Sequence, residues 1–221
     1  MTLMRKTAAV LLTAFCLIGL PASAQSALPG FGSDERSPAG APFSLPAGLE
    51  IAGPLVGADD DGNCPRPYTE DVGSGLWVRA CLPVRNRTGG PVSVTFPPGL
   101  VIVAASEGFQ NGLLVERVVL TVPATGSGPG RLRDREEAPD TVYLPLHFYC
   151  INSAKSGSTP GTDYRIGPVT SPGALAEVFR LMEGKDIRGD GERVEVVQEV
   201  IYDTIRQGVL TQENREALEA L

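Results

Sequence analysis

Two side chains in this chain have types and positions that could make a covalent bond: Cys150 and Gln198. A thiolate is a nucleophile, and a glutamine carboxamide is an acyl group. If they meet away from water, sulfur can displace ammonia and leave an internal thioester. Cys150 ends the apolar run Val142–Cys150, in which Leu144, Leu146, Phe148 and Cys150 alternate onto one strand face and should point inward. Gln198 borders the stripe Val194, Val197, Ile201 and Ile205 of a helix expected over about Gly191–Gln207. A buried glutamine without partners costs about 1–3 kcal/mol, so it should find a polar group. Cys150 and Gln198 are therefore expected to touch, with the helix stripe covering the core that Cys150 faces. A buried inert cysteine, or a disulfide to another cysteine, satisfies the same pattern of residues.

The remaining cysteines sharpen the question. Arg5 and Lys6, the apolar stretch Ala8–Leu20 and the small residues Ala22-Ser23-Ala24 read as a cleavable export signal over residues 1–24. Phe15 precedes Cys16 where a lipid-anchored leader carries a small residue, so lipid attachment is not expected. Beyond the leader stand Cys64, Cys81 and Cys150, an odd number for an oxidising compartment. Cys64 lies in the polar loop Asp59–Asp71, and Cys81 lies on the Trp77/Arg79 side of its strand, away from the main apolar face. These two are expected to pair, closing a short loop worth about 3 kcal/mol. Cys150 is left over.

The stretch Phe148-Tyr149-Cys150-Ile151-Asn152, then Pro160, then Val197-Gln198-Glu199-Val200-Ile201-Tyr202 resembles secreted bacterial thioester domains. Those adhesin modules pair a cysteine in an aromatic context with a T-Q-x-A glutamine followed by isoleucine and an aromatic residue. The resemblance covers about residues 148–205 and departs from the pattern at Val197, Val200 and Tyr202, which replace threonine, alanine and tryptophan. It implies a surface module in which Cys150 supplies the thiol and Gln198 the acyl group for covalent capture of an amine.

A cysteine hydrolase would be a different chemistry and needs a histidine beside the thiol. His147 is the only histidine, and on a strand it faces away from Cys150. It is expected to be a surface or interface residue beside Tyr143 and Tyr149, and no catalytic residue is assigned. Asp59-Asp60-Asp61-Gly62-Asn63 and Asp186–Val197 both lack ligands that a calcium loop requires, so no metal or cofactor is expected. Arg188-Gly189-Asp190 explains itself as a turn into a helix, and Asn86-Arg87-Thr88 is a glycosylation sequon.

The elements that must position these residues follow from periodicity. Residues 25–48 are rich in Pro, Gly, Ser and Ala and read as a flexible spacer, with order beginning near Leu49–Val56. Residues 49–150 read as strands: Leu76–Val84, Pro91–Phe96, Leu100–Ala105, Leu113–Val122 and Val142–Cys150, with a solvated connection over Ala124–Thr141. Residues 151–221 belong to the same domain, loop-like over Ile151–Thr170, then helical over Ala174–Glu183, about Gly191–Gln207, and from Thr211 to Leu221. The expected fold is α+β: a small antiparallel β-sandwich followed by two or three C-terminal helices. The chain has 221 residues with a formal charge of −7; without the leader it carries 17 Lys and Arg against 26 Asp and Glu. Such a surface repels phosphate backbones, so nucleic-acid binding is not expected. No segment after the leader is long and apolar enough to span a membrane. The composition suits a secreted or periplasmic, non-enzymatic module that binds a protein or surface ligand, or a plain envelope scaffold.

Overall fold

A computed structural model describes residues 28–125 and 140–221. The expected export signal over residues 1–24, with Cys16, and most of the Ala124–Thr141 connection lie outside the described residues. In chain order the elements are β1 (Leu49–Ile51), β2 (Leu55–Gly57), β3 (Val78–Asn86), β4 (Val92–Phe96), β5 (Leu100–Ala104), β6 (Gly112–Leu113), β7 (Val118–Val122), β8 (Val142–Cys150), β9 (Asp163–Val169), α1 (Gly173–Met182), α2 (Gly191–Gln207) and α3 (Gln212–Glu219).

The strands-then-helices order holds, but the sandwich does not. The pairings β3–β2, β2–β9, β9–β5, β5–β6, β6–β8 and β8–β3 form a closed cycle, an antiparallel barrel of six strands. β1 pairs with β3 beyond β2, and β4 and β7 form a separate two-stranded ribbon. The strand that closes the barrel is β9, which lies in the stretch expected to be loop. Gly167 and Pro168 interrupt its alternation after Tyr164 and Ile166. The expected single strand Leu113–Val122 is split into β6 and β7, which belong to different sheets.

The apolar faces read from the sequence line the barrel. Val78, Ala80, Leu82 and Val84 of β3 meet Leu144, Leu146, Phe148 and Cys150 of β8 in one buried cluster. The ribbon contributes Val94, Phe96 and Leu120 to the same cluster. The interior is tight: a Cβ added to Gly112 would stand 2.7 Å from that of Phe148 and 2.9 Å from side-chain atoms of Ile102 and Val78. Pro83 and Pro145 sit inside barrel strands without breaking the β3–β8 ladder. The Pro83 carbonyl accepts from Ala52 between β1 and β2, and the Pro145 carbonyl accepts from Val72 of an irregular segment. Each proline nitrogen thus faces an interrupted edge, where a missing N–H is tolerated.

A second core lies outside the barrel. α1 (Leu175, Val178), α2 (Val194, Val197, Ile201) and α3 (Leu218) pack on Val101, Leu113, Tyr149 and Ile151. The α2 boundaries match their signals: Asp190 accepts the Arg193 N–H at the start, and Gly208 ends the helix at φ 71°. Thr211 caps α3 by accepting from Asn214, whereas Pro172 itself occupies the N-cap of α1 and offers no side-chain bond.

Residues 28–48, expected as a spacer, are laid on the fold instead. Phe31 is buried in the helix-side core, Phe43 stacks on Phe96 at 5.4 Å, and Ala41 bridges to Val169. Two phenylalanines suffice to anchor a segment whose composition otherwise reads as linker. Among the described residues no helix is long and apolar enough to cross a membrane.

Candidate functional site

The end of β8 decides where Cys150 and Gln198 meet. An antiparallel strand sends the N–H and C=O of alternate residues to opposite edges. Cys150 lies opposite Gly112 of β6, but the neighbouring Ile151 N–H is the one that reaches the Asn111 carbonyl across that edge. The main chain of Cys150 therefore points to the other edge, where β3 begins only at Val78, opposite Phe148. Gln198 fills the vacancy. Its Oε1 accepts the Cys150 N–H at 2.8 Å, and its Nε2 donates to the Cys150 carbonyl at 2.9 Å.

The expected contact is present, yet it is a contact with the backbone. The reason lies in how α2 docks. Its stripe covers the outer face of the sheet, with Tyr149 and Ile151, and not the interior face that Cys150 shares with Phe148. Gln198 reaches β8 in the plane of the strand, while the thiol turns into the barrel. The thiol is buried and forms no disulfide, and burial pushes its pKa up from 9.0 to about 11, with the nearby Tyr202 hydroxyl opposing the rise. A thiol in this setting is protonated at neutral pH and is a weak nucleophile.

Around this pair lies a polar knot that the sequence did not signal. Tyr202, one turn after Gln198, donates to Gln110 Oε1 at 3.2 Å, and the Asn152 N–H donates to the same oxygen at 3.2 Å. Asn152 Oδ1 accepts the Asn111 N–H, and its Nδ2 donates to the carbonyls of Gly30 and Gly32 at 3.1 and 3.0 Å. The N-terminal segment is thereby tied to the residues that follow Cys150. The Tyr164 hydroxyl is buried with no hydrogen-bond partner among the described residues, and burial followed by the nearby Cys150 raises its pKa. The only available clue was that buried polar residues beside strand ends need partners.

The other candidates resolve differently. Cys64 and Cys81 form a disulfide, with Cα atoms 5.5 Å apart. His147 is half-buried beside the 71–73 segment, and its Nε2 has no partner among the described residues. Burial lowers its pKa, with Asp71 and Arg79 exerting opposite smaller effects. It lies on the opposite strand face from Cys150, so no thiol–imidazole pair forms. The sequon asparagine, Asn86, is fully buried, and its Nδ2 donates to the carbonyls of Gly90, Val122 and Pro123. That nitrogen is part of the core and is inaccessible as a glycan acceptor. In the Arg188-Gly189-Asp190 turn, Arg188 pairs with Asp186 and Asp190 caps α2. Asp59 accepts from the N–H groups of Asp61 and Asn63, which organises its acidic loop.

Compared with known protein families, characterised proteins and solved structures, the chain matches none. The resemblance to thioester domains therefore stands on the Cys150 and Gln198 motifs alone.

Proposed function

We propose that this chain is a non-enzymatic binding or scaffold module working outside the cytoplasm, in which Gln198 is a structural partner of Cys150. The observation that carries this reading is the engagement of both ends of the carboxamide by the Cys150 main chain. A carboxamide so held substitutes for a missing strand and satisfies two buried peptide groups. The raised thiol pKa supports the same reading, because an unionised sulfur attacks poorly. The Cys64–Cys81 disulfide suits an oxidising compartment.

The second reading is covalent capture, and the closeness of Gln198 to Cys150 is what favours it. There the sulfur would attack Cδ of Gln198, the C–N bond would break, and ammonia would leave with the thiol proton. An amine could then take the acyl group as an amide and regenerate the thiol. Intact mass separates the readings: the structural reading expects the full mass, unchanged by methylamine. A deficit of one ammonia that methylamine abolishes would overturn it.

A further inference from the structure

A cleft of about 670 Å³ opens on the outer side of the barrel, between the Val115–Val119 stretch and the link from α1 to α2. Neither Cys150 nor Gln198 lines it. Its floor includes Ser74 and Glu116. The Tyr149 hydroxyl lies 2.7 Å from Ser74 Oγ, and both residues are buried. The Ser74 hydroxyl, with the N–H groups of Ser74, Val115 and Glu116, acts to hold the Glu116 carboxyl pKa down.

The floor presents the Glu116 carboxyl, and the rim carries the cations Arg117, Arg180, Lys185 and Arg188 together with the carboxylates of Glu183 and Asp186. Burial raises the Glu116 pKa despite those donors; Arg188 feels its charge but is ion-paired to Asp186. At the rim, Arg188 is taken by Asp186 and Arg180 by Glu177. Two lining cations remain uncommitted among the described residues. Arg117 has no ion-pair partner, and Lys185 Nζ reaches only the Glu219 carbonyl at 3.5 Å. Phe179, Ile187, Val115 and Val118 supply apolar wall between floor and rim. A concave site of this size with apolar walls and a few convergent polar groups is the usual form of a small-molecule pocket.

We propose that this cleft binds a small zwitterion with an apolar body, its ammonium group seated on Glu116 and its carboxylate taken by Arg117 and Lys185. An ammonium group relieves the partly buried carboxylate, and the rim cations select the opposite end. The ligand class is that of apolar amino acids and short peptides. The inference gives a ligand to the binding-module reading and rests on it, but it does not depend on the state of Cys150.

The test is calorimetric titration of the purified chain with leucylleucine, N-acetyl-leucylleucine, leucylleucinamide and free leucine. Leucylleucine, free leucine or both should bind saturably, and the comparison between them sets the preferred length. Blocking either end of the dipeptide should weaken binding about tenfold or more, the loss of one charge-assisted contact. Glu116→Gln should erase the penalty of the acetyl group alone, and the double change Arg117→Ala with Lys185→Ala the penalty of the amide alone. Absence of saturable binding, equal affinity for blocked and unblocked forms, or sensitivity to only one end would overturn the proposal. The blocked ligands carry the test on the unaltered chain even if Glu116→Gln does not fold. An ammonia deficit in the intact mass would remove the structural reading of Gln198 without touching this result.

Discussion

The carboxamide of Gln198 stands beside Cys150 where a neighbouring strand would otherwise stand, taking its N–H at 2.8 Å and giving a hydrogen to its carbonyl at 2.9 Å. A helix side chain thus finishes the edge of a barrel strand. The pairing ties α2 to β8 at one point while the apolar stripe of the same helix ties it to the outer sheet face.

Gln198→Ala should destabilise the fold by about 1–3 kcal/mol, because it strands two buried peptide groups. Gln198→Glu should be worse still, since a carboxylate cannot donate to the Cys150 carbonyl. Urea unfolding followed by the Trp77 fluorescence measures both. A loss below about 0.5 kcal/mol for the alanine change would show that the contact is not structural.

Cys150 should resist alkylation in the folded chain and react readily in denaturant, as burial and a pKa near 11 require. The folded pKa is raised above the ordinary 9.0, so the fold favours the protonated thiol. That stability is complete below pH 9.0 and drains away as pH rises towards 11. Cys150→Ala should flatten this part of the profile, read as unfolding midpoint against pH; an unchanged slope would contradict the assignment.

His147 should make the fold sensitive to mild acid. Its folded pKa is depressed below the ordinary 6.5 by burial, with Asp71 and Arg79 the charged groups that act on it. The fold therefore favours neutral imidazole, and stability present above pH 6.5 is lost as pH falls through the lower folded value. His147→Gln should remove that part of the dependence in thermal unfolding between pH 7 and 5. If wild type and variant decline together, other groups are responsible.

Replacing Cys64 and Cys81 together by alanine should cost about 3 kcal/mol, the closure entropy of a short loop in the unfolded chain. Chemical denaturation of the double variant against the oxidised parent gives the number. Cys150 should stay unpaired in both, and a mapped Cys150 bridge would refute the separation of the strand faces.

Asn86 should carry no glycan once the chain has folded, because its Nδ2 is committed to three carbonyls. Asn86→Asp replaces that donor by an acceptor facing the same carbonyls and should destabilise by several kcal/mol. Mass after expression in a glycosylating host, and the unfolding midpoint of the variant, check the two halves.

Local pattern was enough for much of this molecule. The alternation in Val142–Cys150 placed Leu144, Leu146, Phe148 and Cys150 inside, and Asp190, Gly208 and Thr211 marked the helix limits, because strand parity and helix caps are properties of neighbouring residues. The same parity separated Cys81 from Cys150 and left Cys64 as the partner of Cys81. What the sequence could not carry was closure. A barrel and a sandwich use the same alternating strands, and the difference rests on β9, whose Gly167 and Pro168 interrupt its pattern and whose partners β2 and β5 are distant in the chain. The site shows the same division. Residue types made Cys150 and Gln198 candidates, but only the docking of α2 on the outer face decided that the carboxamide meets the backbone and not the thiol. Glu116, Ser74 and Tyr149, and the anchoring of Phe31 and Phe43, depend in the same way on long-range packing, which no window of neighbouring residues contains.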